Sequence, residues 1–582
     1  MDKKGTIMSQ QASGYSSIEK PWQKYYPETV LDSPLPQNTI YGYIKEKNKA
    51  EPNRIAIEYF GHHLTYAQLI DKIDQCASAL ASFGIGEGDI VSICMPTTPE
   101  FVFLFYALSK LGAVSNMIDP RKSAMELEEY ITKVHSKMVF CVDLVMEKLS
   151  GILGNHEIRG IVIIPPFASL NPVLKHVLWM KNKIHIKDIH SMGFMTWIDF
   201  CSRKQGQYVS ALYKKDMPVT IVYTGGTTGK SKGVILSNDT INAGAFQCEY
   251  CGLNFSDRGT WLDIMPPFIA YGVGNGLHLP LSMGMKVILM PRFDPSTFDQ
   301  IILKYRPNYM ASVPSHYGYV INSPRLKNVD LSFLKTPIVG GDKMDSALEV
   351  EVNDFLLSHN CASKIIKGYG MSEVNAAVSV CTSNQTNKLQ SVGIPLSHSI
   401  IQICDYETGK PLQLNEIGEV RISGPNVMIG YYEDPVEEAK ILSYDGYGNK
   451  WIRSGDIGYM DEDGNLFIKG RYKEMIVRAD GFKVYPNAIE EVILQCPEVS
   501  ECKVVGYHDP HESQGELPKA YIKLKNTSGN SVHILKTIQS LCKKDLAEYS
   551  QPNCYEIIDS FPMTPVGKID TLELKRRAEQ TN

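Results

Sequence analysis

The 582-residue sequence lacks any apolar run long enough to cross a bilayer. Its longest apolar stretch, FVFLFYALSKLGAV, is interrupted by Lys110 and falls short of the roughly 20 residues that a spanning helix needs. The first residues, MDKKGTIMSQQASGYSS, also lack the apolar core and small-residue cleavage site of a secretory signal. We therefore expect a cytoplasmic protein without membrane-spanning helices.

An excess of basic charge is also missing. Lys and Arg number 59 and Asp and Glu number 64, which gives a formal net charge of −5 and argues against a nucleic-acid partner. The 13 cysteines are an odd number without regular spacing, a pattern that favours free thiols over a disulfide framework. The closest pair, Cys248 and Cys251, has no second Cys/His pair nearby, so we predict buried thiols and not half of a zinc site.

The sequence predicts a multidomain α/β protein, because a chain of this length exceeds a single core. Residues 1–37 are polar, with prolines near the end, and are predicted to be a loosely ordered lead-in. From Asn38 onward, helical patterns (LTYAQLIDKIDQCASALASFG, PEFVFLFYALSKLG) alternate with buried strands (DIVSICMP), which favours largely parallel sheets. Between about 400 and 470, short strands with hairpin turns predict a small β-barrel or distorted sheet.

The stretch YTGGTTGKSKGV (223–234) falls one residue short of a Walker phosphate loop, because Thr224 stands where the first glycine is required. A Walker loop also runs directly into a helix, whereas here Gly233 and the apolar VILS follow. We predict strand, loop, strand, with a helix beginning only near Asn238. The loop nevertheless has the chemistry of a phosphate site, with successive backbone N–H groups, three hydroxyls and two ammonium groups, on Thr224, Thr227, Thr228, Lys230 and Lys232.

Later motifs are weaker when each is taken alone. In KGYGMSEVNAA, Tyr369 lies between glycines and is able to stack on a base, and Glu373 is free to bind Mg²⁺. The alternative for Glu373 is a helix N-terminus that favours a carboxylate. Asp456 in a Ser-Gly-Asp turn and Arg471 after a glycine flank a predicted hairpin that would aim both at one polyol, such as ribose; otherwise each is a surface charge. Lys568 follows a glycine in a proline-bounded loop and projects a point charge, unless it is one more lysine of a basic tail.

The segment NPVLKHVLWMKNKIHIKDIH (171–190) mixes apolar residues with four lysines. Such a composition occurs in helices that rest on anionic lipid surfaces. The alternative is a solvated face over a packed stripe. Peripheral contact with a membrane surface is therefore one expectation for this segment.

Taken in order, these motifs resemble the AMP-forming adenylation superfamily, which includes acyl-CoA synthetases, nonribosomal-peptide adenylation domains and firefly luciferase. The resemblance covers about residues 38–577 and rests on the Thr/Gly loop, GGDKM, YGMSE, SGD, GRYKE and PVGK. GRYKEMIVRADGFKVYPNAIEEVI looks most like the medium- to long-chain fatty acyl-CoA synthetases. The implied fold is α/β, with a large N-terminal domain (38–472) of two helix-flanked β-sheets plus a small β-barrel. A small mobile α/β C-terminal lid (473–582) would turn at Lys473.

The resemblance also implies site residues and the substrates ATP and CoA with Mg²⁺. The loop would wrap the β- and γ-phosphates, Glu373 would hold Mg²⁺, and Asp456 and Arg471 would bind the ribose. Lys568 would neutralise the α-phosphate and the acyl carboxylate, and Gly481 would border the CoA channel. Glu373, Lys568 and Thr224 are the implied catalytic residues. The full set of implied nucleotide-binding residues is Thr224, Gly225, Gly226, Thr227, Thr228, Gly229, Lys232, Gly340, Gly341, Asp342, Tyr369, Gly370, Ser372, Asp456, Arg471 and Lys568.

The sequence departs from the family pattern in three places. Gly225 replaces the usual serine and Ser231 the usual proline of the phosphate loop; RADGFK is one residue longer before its glycine; and PPFIAYG lacks the histidine of many acyl-CoA synthetases. Ile269 and Ala270 also replace the aspartate with which amino-acid-activating relatives pair the substrate ammonium, so amino acids are disfavoured. Ala270, Val313, Val339 and Met371 are predicted to line a mostly apolar acyl pocket for a fatty or aryl carboxylic acid.

Three other functions stay open from the sequence. A carrier-loading acyl-AMP ligase would use the thiol of a separate carrier protein in place of CoA. A Walker-type NTPase would have a helix directly after Lys230 and would release ADP. A non-catalytic nucleotide-binding module would not need Lys568.

Overall fold

The structure is a computed structural model that describes residues 14–152, 154–170, 186–203, 208–224, 231–253, 255, 258–480, 482–508, 515–525, 531–564 and 569–580. Three predicted features lie outside these ranges: the loop residues 225–230, Gly481 and Lys568. Of the segment 171–190, only the start of a short helix, Ile186–Ser191, is described.

Two large, mostly parallel sheets form the body of the protein. Among the described residues the first sheet has nine strands, with antiparallel partners only at its two edges. Its order across the sheet is Ile394–Pro395, Ser379–Val380, Ile366–Tyr369, Thr336–Val339, Tyr309–Ser312, Thr260–Asp263, Lys286–Leu289, Ile55–Tyr59 and His62–Thr65.

The second sheet has eight strands within the described ranges, and its antiparallel strands adjoin the phosphate loop. Its order is Gly430–Tyr431, Gly233–Ser237, Pro218–Tyr223, Val114–Met117, Ile90–Cys94, Met138–Val142, Ile161–Ile164 and Met195–Thr196. The predicted α/β class with largely parallel sheets is confirmed.

A third, antiparallel sheet follows, at the place where the sequence predicts a small barrel or distorted sheet. Its described strands are Ile400–Cys404, Gly418–Ser423, Lys450–Met460, Leu442–Tyr444 and Leu466–Arg471. The C-terminal part then forms a hairpin, Ile476–Val477 with Lys483–Val484, and a sheet of Val499–His508, Glu516–Leu524 and Cys554–Ile557. Its hydrophobic clusters are separate from those of the preceding residues.

Helices flank both large sheets, and their ends follow local sequence signals. The predicted amphipathic helix spans Tyr66–Ser82, where the Thr65 hydroxyl accepts a hydrogen bond from the Gln68 backbone N–H and the Gln68 side chain accepts one from the Thr65 N–H. The other described α-helices are Ser16–Glu19, Glu28–Leu31, Ile40–Asn48, Pro99–Leu111, Ala124–Lys133, Ile186–Ser191, Trp197–Ser202, Asn238–Glu249, Leu279–Ser282, Phe298–Tyr305, Pro314–Ile321, Ser346–Ser358, Pro435–Ile441, Pro486–Ile493, Ser531–Asp545 and Thr571–Gln580. Described 3₁₀ turns are Pro21–Tyr25, Asp143–Ile152, Pro295–Thr297, Ser372–Val374, Tyr472–Glu474 and Glu548–Ser550, and Tyr271–His278 is a π-helix. None of the helices in the described ranges is both long and apolar enough to cross a membrane.

The expected loosely ordered lead-in is wrong for residues 14–37. Trp22 is 2% exposed and packs against Gly464, and the Tyr26 hydroxyl donates a hydrogen bond to the Pro395 carbonyl at 2.9 Å. The Ser16 hydroxyl donates to the Ile401 carbonyl at 2.8 Å. Although the segment is polar in composition, burial of a few aromatic rings fixes it against the third sheet and the edge of the first sheet.

Candidate active site

A large cavity lies at the carboxyl ends of the parallel strands, where open α/β sheets bind ligands. Its volume is about 1730 Å³. Residues at or just after four strand ends line it: Thr224, Val313, Gly340 and Tyr369. The third sheet and the C-terminal part complete its wall, so residues from distant parts of the chain meet in one place.

The phosphate loop begins and ends on two paired strands. Tyr223 pairs with Gly233, the Thr224 N–H donates to the Lys232 carbonyl at 3.1 Å, and the Lys232 N–H donates to the Thr224 hydroxyl oxygen at 3.2 Å. The following helix begins at Asn238. The predicted strand, loop, strand arrangement is therefore confirmed, and the strand Gly233–Ser237 excludes a Walker loop, which would continue as a helix.

Tyr369, Asp456 and Arg471 form one hydrogen-bonded cluster beside the cavity. The Tyr369 hydroxyl donates to Oδ2 of Asp456 at 2.6 Å, and Nε of Arg471 lies 3.1 Å from Oδ1. Asp456 stands directly opposite Arg471 in an antiparallel strand pair, which explains the meeting that the hairpin pattern predicts. Burial, followed by the charge of Asp456, raises the pKa of Tyr369 well above its ordinary value, so this hydroxyl keeps its proton.

Glu373 is a buried carboxylate on the cavity wall, 6% exposed, in the turn Ser372–Val374. Its Oε1 accepts a hydrogen bond from the Tyr431 hydroxyl at 2.6 Å. Burial and then the charge of Glu373 raise the pKa of Tyr431, which therefore remains a donor that orients the carboxylate. Tyr431 was not predicted from the sequence, because only the pairing of Tyr431 with Val234, in the strand after the phosphate loop, places it here.

Lys232 brings a cation to the same region. Its Nζ lies 5.1 Å from the centre of the Tyr431 ring and 2.6 Å from Oε2 of Glu437. Hydrogen bonds from Lys232 and Lys440 lower the pKa of Glu437 to about 2. The predicted counter-charge is thus at the cavity wall, and its present partner Glu437 was not predicted.

The glycine-rich segments line the cavity as expected, with one exception. Gly340, Gly341, Gly370 and Ser372 are on the wall. A Cβ on Gly370 would lie 1.4 Å from the Ala376 carbonyl oxygen, so only glycine fits there. Asp342 is exposed and is not on the wall; its Oδ1 accepts a hydrogen bond from the Lys343 N–H at 2.8 Å. A role of Asp342 in nucleotide binding stays a prediction.

The cavity also has apolar side chains on its wall. The four predicted acyl-pocket residues, Ala270, Val313, Val339 and Met371, all line the cavity. The sequence analysis missed a further set of apolar lining side chains around the helix Asn238–Glu249 and the strand Thr260–Asp263, namely Cys248, Cys251, Leu253, Phe255 and Trp261. Both cysteines are buried free thiols as predicted, and burial raises the pKa of Cys251 to about 11.

The C-terminal part closes one side of the cavity. Lys473, the predicted hinge residue, is on the wall, together with Lys503, Thr571 and Lys575. Lys568 and Gly481 lie outside the described residues. Among the described residues, no group of three His, Cys, Asp or Glu side chains could hold a metal ion by itself.

The chain matches two family models, AMP-binding enzyme over residues 44–432 and AMP-binding enzyme C-terminal domain over 488–568. A long-chain-fatty-acid–CoA ligase of Bacillus subtilis is 29% identical, over 96% of this chain and 97% of its own length. A probable 4-coumarate–CoA ligase 1 of Dictyostelium discoideum is 28% identical, over 94% and 96%. In shape, the anthranilate CoA ligase AuaEII in complex with anthranoyl-AMP superposes with a TM-score of 0.81, at 22% identity over 95% of this chain and 99% of that one.

The fold and the cavity thus define an adenylate-forming enzyme with a large N-terminal and a small C-terminal part. The chain belongs to the AMP-binding enzyme family. The class predicted from its motifs, an AMP-forming acid–thiol ligase, is confirmed.

Proposed function

We propose that the protein activates a fatty or aryl carboxylic acid with ATP, releasing pyrophosphate, and then transfers the acyl group from the acyl-adenylate to the thiol of CoA. The observation that carries this proposal is the continuity of the cavity. The same cavity is lined by Thr224, Gly340, Tyr369 and Glu373 and by apolar side chains that include Phe255. The names of the two relatives, ligases of a long-chain fatty acid and of 4-coumarate, agree with such a substrate.

ATP would lie along the charged part of the wall. The Asp456 and Arg471 pair would bind the ribose hydroxyls, and Gly340, Gly341 and the ring of Tyr369 would line the adenine. Thr224, Lys232 and the loop residues 225–229 would hold the β- and γ-phosphates through hydroxyls, backbone N–H groups and charge.

Glu373 fits the binding of Mg²⁺. Its carboxylate is on the cavity wall and is oriented by the Tyr431 hydroxyl at 2.6 Å. Mg²⁺ is usually held by one or two carboxylates together with substrate phosphates and water, so a single carboxylate is sufficient. When bound, this ion supplies charge neutralisation on the phosphates.

In the first half-reaction, a carboxylate oxygen of the acid attacks the α-phosphorus, and the bond from that phosphorus to pyrophosphate breaks. Lys568 would neutralise the negative charge that the two anions bring together. The position of Thr571, three residues after Lys568 and on the cavity wall, supports this assignment.

In the second half-reaction, the thiol sulfur of CoA attacks the acyl carbon and AMP leaves. The lid (473–582) would turn at Lys473 to open the space over the phosphates, and Gly481 would then border the channel of the incoming thiol. The separate hydrophobic clusters on either side of residue 472 support a boundary there, because two units with their own cores are able to move relative to each other.

The acid would lie against the apolar side chains of the cavity wall. Ala270, Val313, Val339, Met371 and the ring of Phe255 would contact it. None of these side chains is able to pair with a substrate ammonium group, which disfavours amino acids. Contact of residues 171–190 with an anionic membrane surface, and a cytoplasmic location, stay predictions.

A screen of pyrophosphate release tests this function directly. Acids of two to sixteen carbons, 4-coumarate and the amino acids are supplied with ATP and Mg²⁺, with and without CoA, and the nucleotide product is separated by chromatography. We expect AMP as the product with fatty or aryl acids and acyl-CoA only when CoA is present. ADP as the main product would contradict the proposal, and acyl-AMP that CoA never discharges would indicate a carrier protein as the acceptor.

A further inference from the structure

The carboxylate of Glu491, on the lid, is bound by two side chains of the large domain, Lys343 and Gln390. Oε1 of Glu491, on the helix Pro486–Ile493, lies 2.9 Å from Nζ of Lys343. Its Oε2 accepts a hydrogen bond from Nε2 of Gln390 at 3.2 Å, and the same Gln390 amide donates to the Ser346 hydroxyl at 2.8 Å. Lys343 also donates to the Asn487 carbonyl, one turn earlier on the lid helix, at 3.4 Å.

The Lys343–Glu491 ion pair is partly shielded from water, so its interaction energy is significant. The side chains of Lys343 and Glu491 are 28% and 27% exposed, and Glu491 has a donor for each of its oxygens. Charge-assisted hydrogen bonds of this kind are stronger than neutral ones and depend on the relative position of their partners. A rotation of the lid that moves Glu491 by a few ångströms would therefore break its contacts with Lys343 and Gln390 at once.

Lys343 and Gln390 are both linked to segments that line the cavity, Lys343 through the chain and Gln390 through side-chain contacts. Lys343 follows Gly341, which lines the cavity, by two residues. The Gln390 N–H donates to Glu349 at 3.4 Å, and Glu349 is ion-paired with Lys367, two residues before Tyr369 in the same strand. The lid is thus in contact with residues linked to the segments that line the cavity at Gly341 and Tyr369.

The contacts of Glu491 with Lys343 and Gln390 form in one orientation of the lid. In this orientation Thr571 and Leu572 line the cavity, whereas Val477 and Phe482 of the lid hairpin are 43% and 49% exposed. A rigid lid cannot present its hairpin to the cavity and keep the helix Pro486–Ile493 on Lys343 at the same time. The contact therefore distinguishes the orientation that brings the Thr571 side to the phosphates.

We propose that the Lys343–Glu491 pair, supported by Gln390, is a positioning device that holds the lid in the orientation for acyl-adenylate formation and is released before thioester formation. This inference rests on the proposed two-step function. These residues do not touch the reacting atoms, and they act by setting the fraction of enzyme with this lid face at the cavity.

The test measures the two half-reactions separately in full-length protein. Pyrophosphate release reports adenylation, and acyl-CoA formation from supplied acyl-AMP and CoA reports the second step. For Lys343→Met and for Glu491→Gln we expect adenylation to fall about tenfold while the second step is unchanged or faster. The double exchange Lys343→Glu with Glu491→Lys restores the attraction and is expected to recover most of the wild-type ratio of the two rates.

The matched control is Glu351→Gln, an exposed glutamate on the helix Ser346–Ser358, which is expected to change neither rate. Equal loss of both half-reactions in the single variants, unchanged rates, or no recovery in the exchanged pair would overturn the positioning role. Thermal unfolding distinguishes a variant that has lost its fold from one that has lost only the Lys343–Glu491 contact. A wild-type protein that releases no pyrophosphate with any acid would instead contradict the proposed function.

Discussion

The Tyr369 hydroxyl donates a 2.6 Å hydrogen bond to Oδ2 of Asp456, across 87 residues of sequence. The two residues come from different sheets, and this bond joins the end of the strand Ile366–Tyr369 to the strand Lys450–Met460. With Arg471 on the other carboxylate oxygen, Asp456 is held in one position, 4% exposed. Recognition of a ribose diol requires a rigid acceptor. The orientation of the Asp456 carboxylate is fixed before ATP binds.

Tyr369→Phe tests this relationship, because it keeps the ring and removes only the hydroxyl. Hydrogen bonds to charged groups contribute about 1.5–3 kcal/mol, so we expect ATP affinity to fall about tenfold or more. Calorimetry with ATP and with free pyrophosphate gives the measurement, and pyrophosphate binding is expected to stay constant. Tyr319→Phe, at a residue that is 53% exposed, is the control. Unchanged ATP affinity would remove Asp456 from the ribose site.

Lys568→Ala is expected to slow acyl-adenylate formation by roughly 10²-fold, because one cation that neutralises the transition state is lost. Thioester formation from supplied acyl-AMP is expected to suffer much less. The two rates are measured separately, with thermal unfolding as the check on the fold. An equal decrease of both half-reactions in a folded variant would disprove the assigned role.

The phosphate loop and the metal residue are tested by the product that each variant makes. Ser231→Pro removes a hydroxyl that donates to the Thr224 carbonyl and is expected to remain active with AMP as product. Glu373→Ala is expected to lose Mg²⁺-dependent AMP formation, since the carboxylate that would hold the ion is removed. Chromatography of the nucleotides is the measurement. A folded but inactive Ser231→Pro enzyme, or ADP as main product, would contradict this assignment.

Asp263 is predicted to make stability depend on pH. Its carboxyl is 1% exposed, and burial raises its pKa from 3.8 to about 8. Below about pH 4 the carboxyl is protonated in both the folded and the unfolded protein, and its contribution to the free energy of unfolding is complete. Because the pKa is raised in the folded protein, this contribution is lost as the pH rises through about 8.

Asp263→Asn replaces the protonated carboxyl by a neutral group of the same shape. Relative to wild type, we expect the free energy of unfolding of the variant to increase between pH 5 and pH 8.5 by at least about 1 kcal/mol, since one pKa unit corresponds to about 1.4 kcal/mol. Urea unfolding at both pH values is the measurement, with the exposed Asp71→Asn as control. A difference that does not change with pH would show that Asp263 is ionised in the folded protein.

Ala270→Phe is predicted to shorten the acids that the enzyme accepts, because Ala270 is 1% exposed and lines the cavity. For the longest acid that the wild type uses, kcat/KM is expected to fall at least tenfold, and for the shortest to change less than threefold. Overpacking typically costs about 1–3 kcal/mol, so ATP binding and thermal unfolding accompany the assay. A uniform decrease over all chain lengths would place Ala270 outside the acyl pocket.

The sequence by itself determined the features that depend on neighbouring residues. The helix Tyr66–Ser82, the strands on either side of the phosphate loop and the helix start at Asn238 all follow from apolar periodicity, capping residues and glycine positions. The order of the motifs also led to the family, because several weak signals in a fixed order are specific together. The packing of residues 14–37 had no such local signal, and the predicted loose lead-in is wrong there.

Tertiary structure alone decided which side chains of distant elements meet. Tyr431 reaches Glu373, and Glu491 reaches Lys343, because strand register and packing of the lid bring together residues far apart in the chain. Periodicity records only which face of an element is buried, whereas a contact depends on how two elements are placed relative to each other. That placement results from burial summed over the whole core, so no short stretch of sequence contains it.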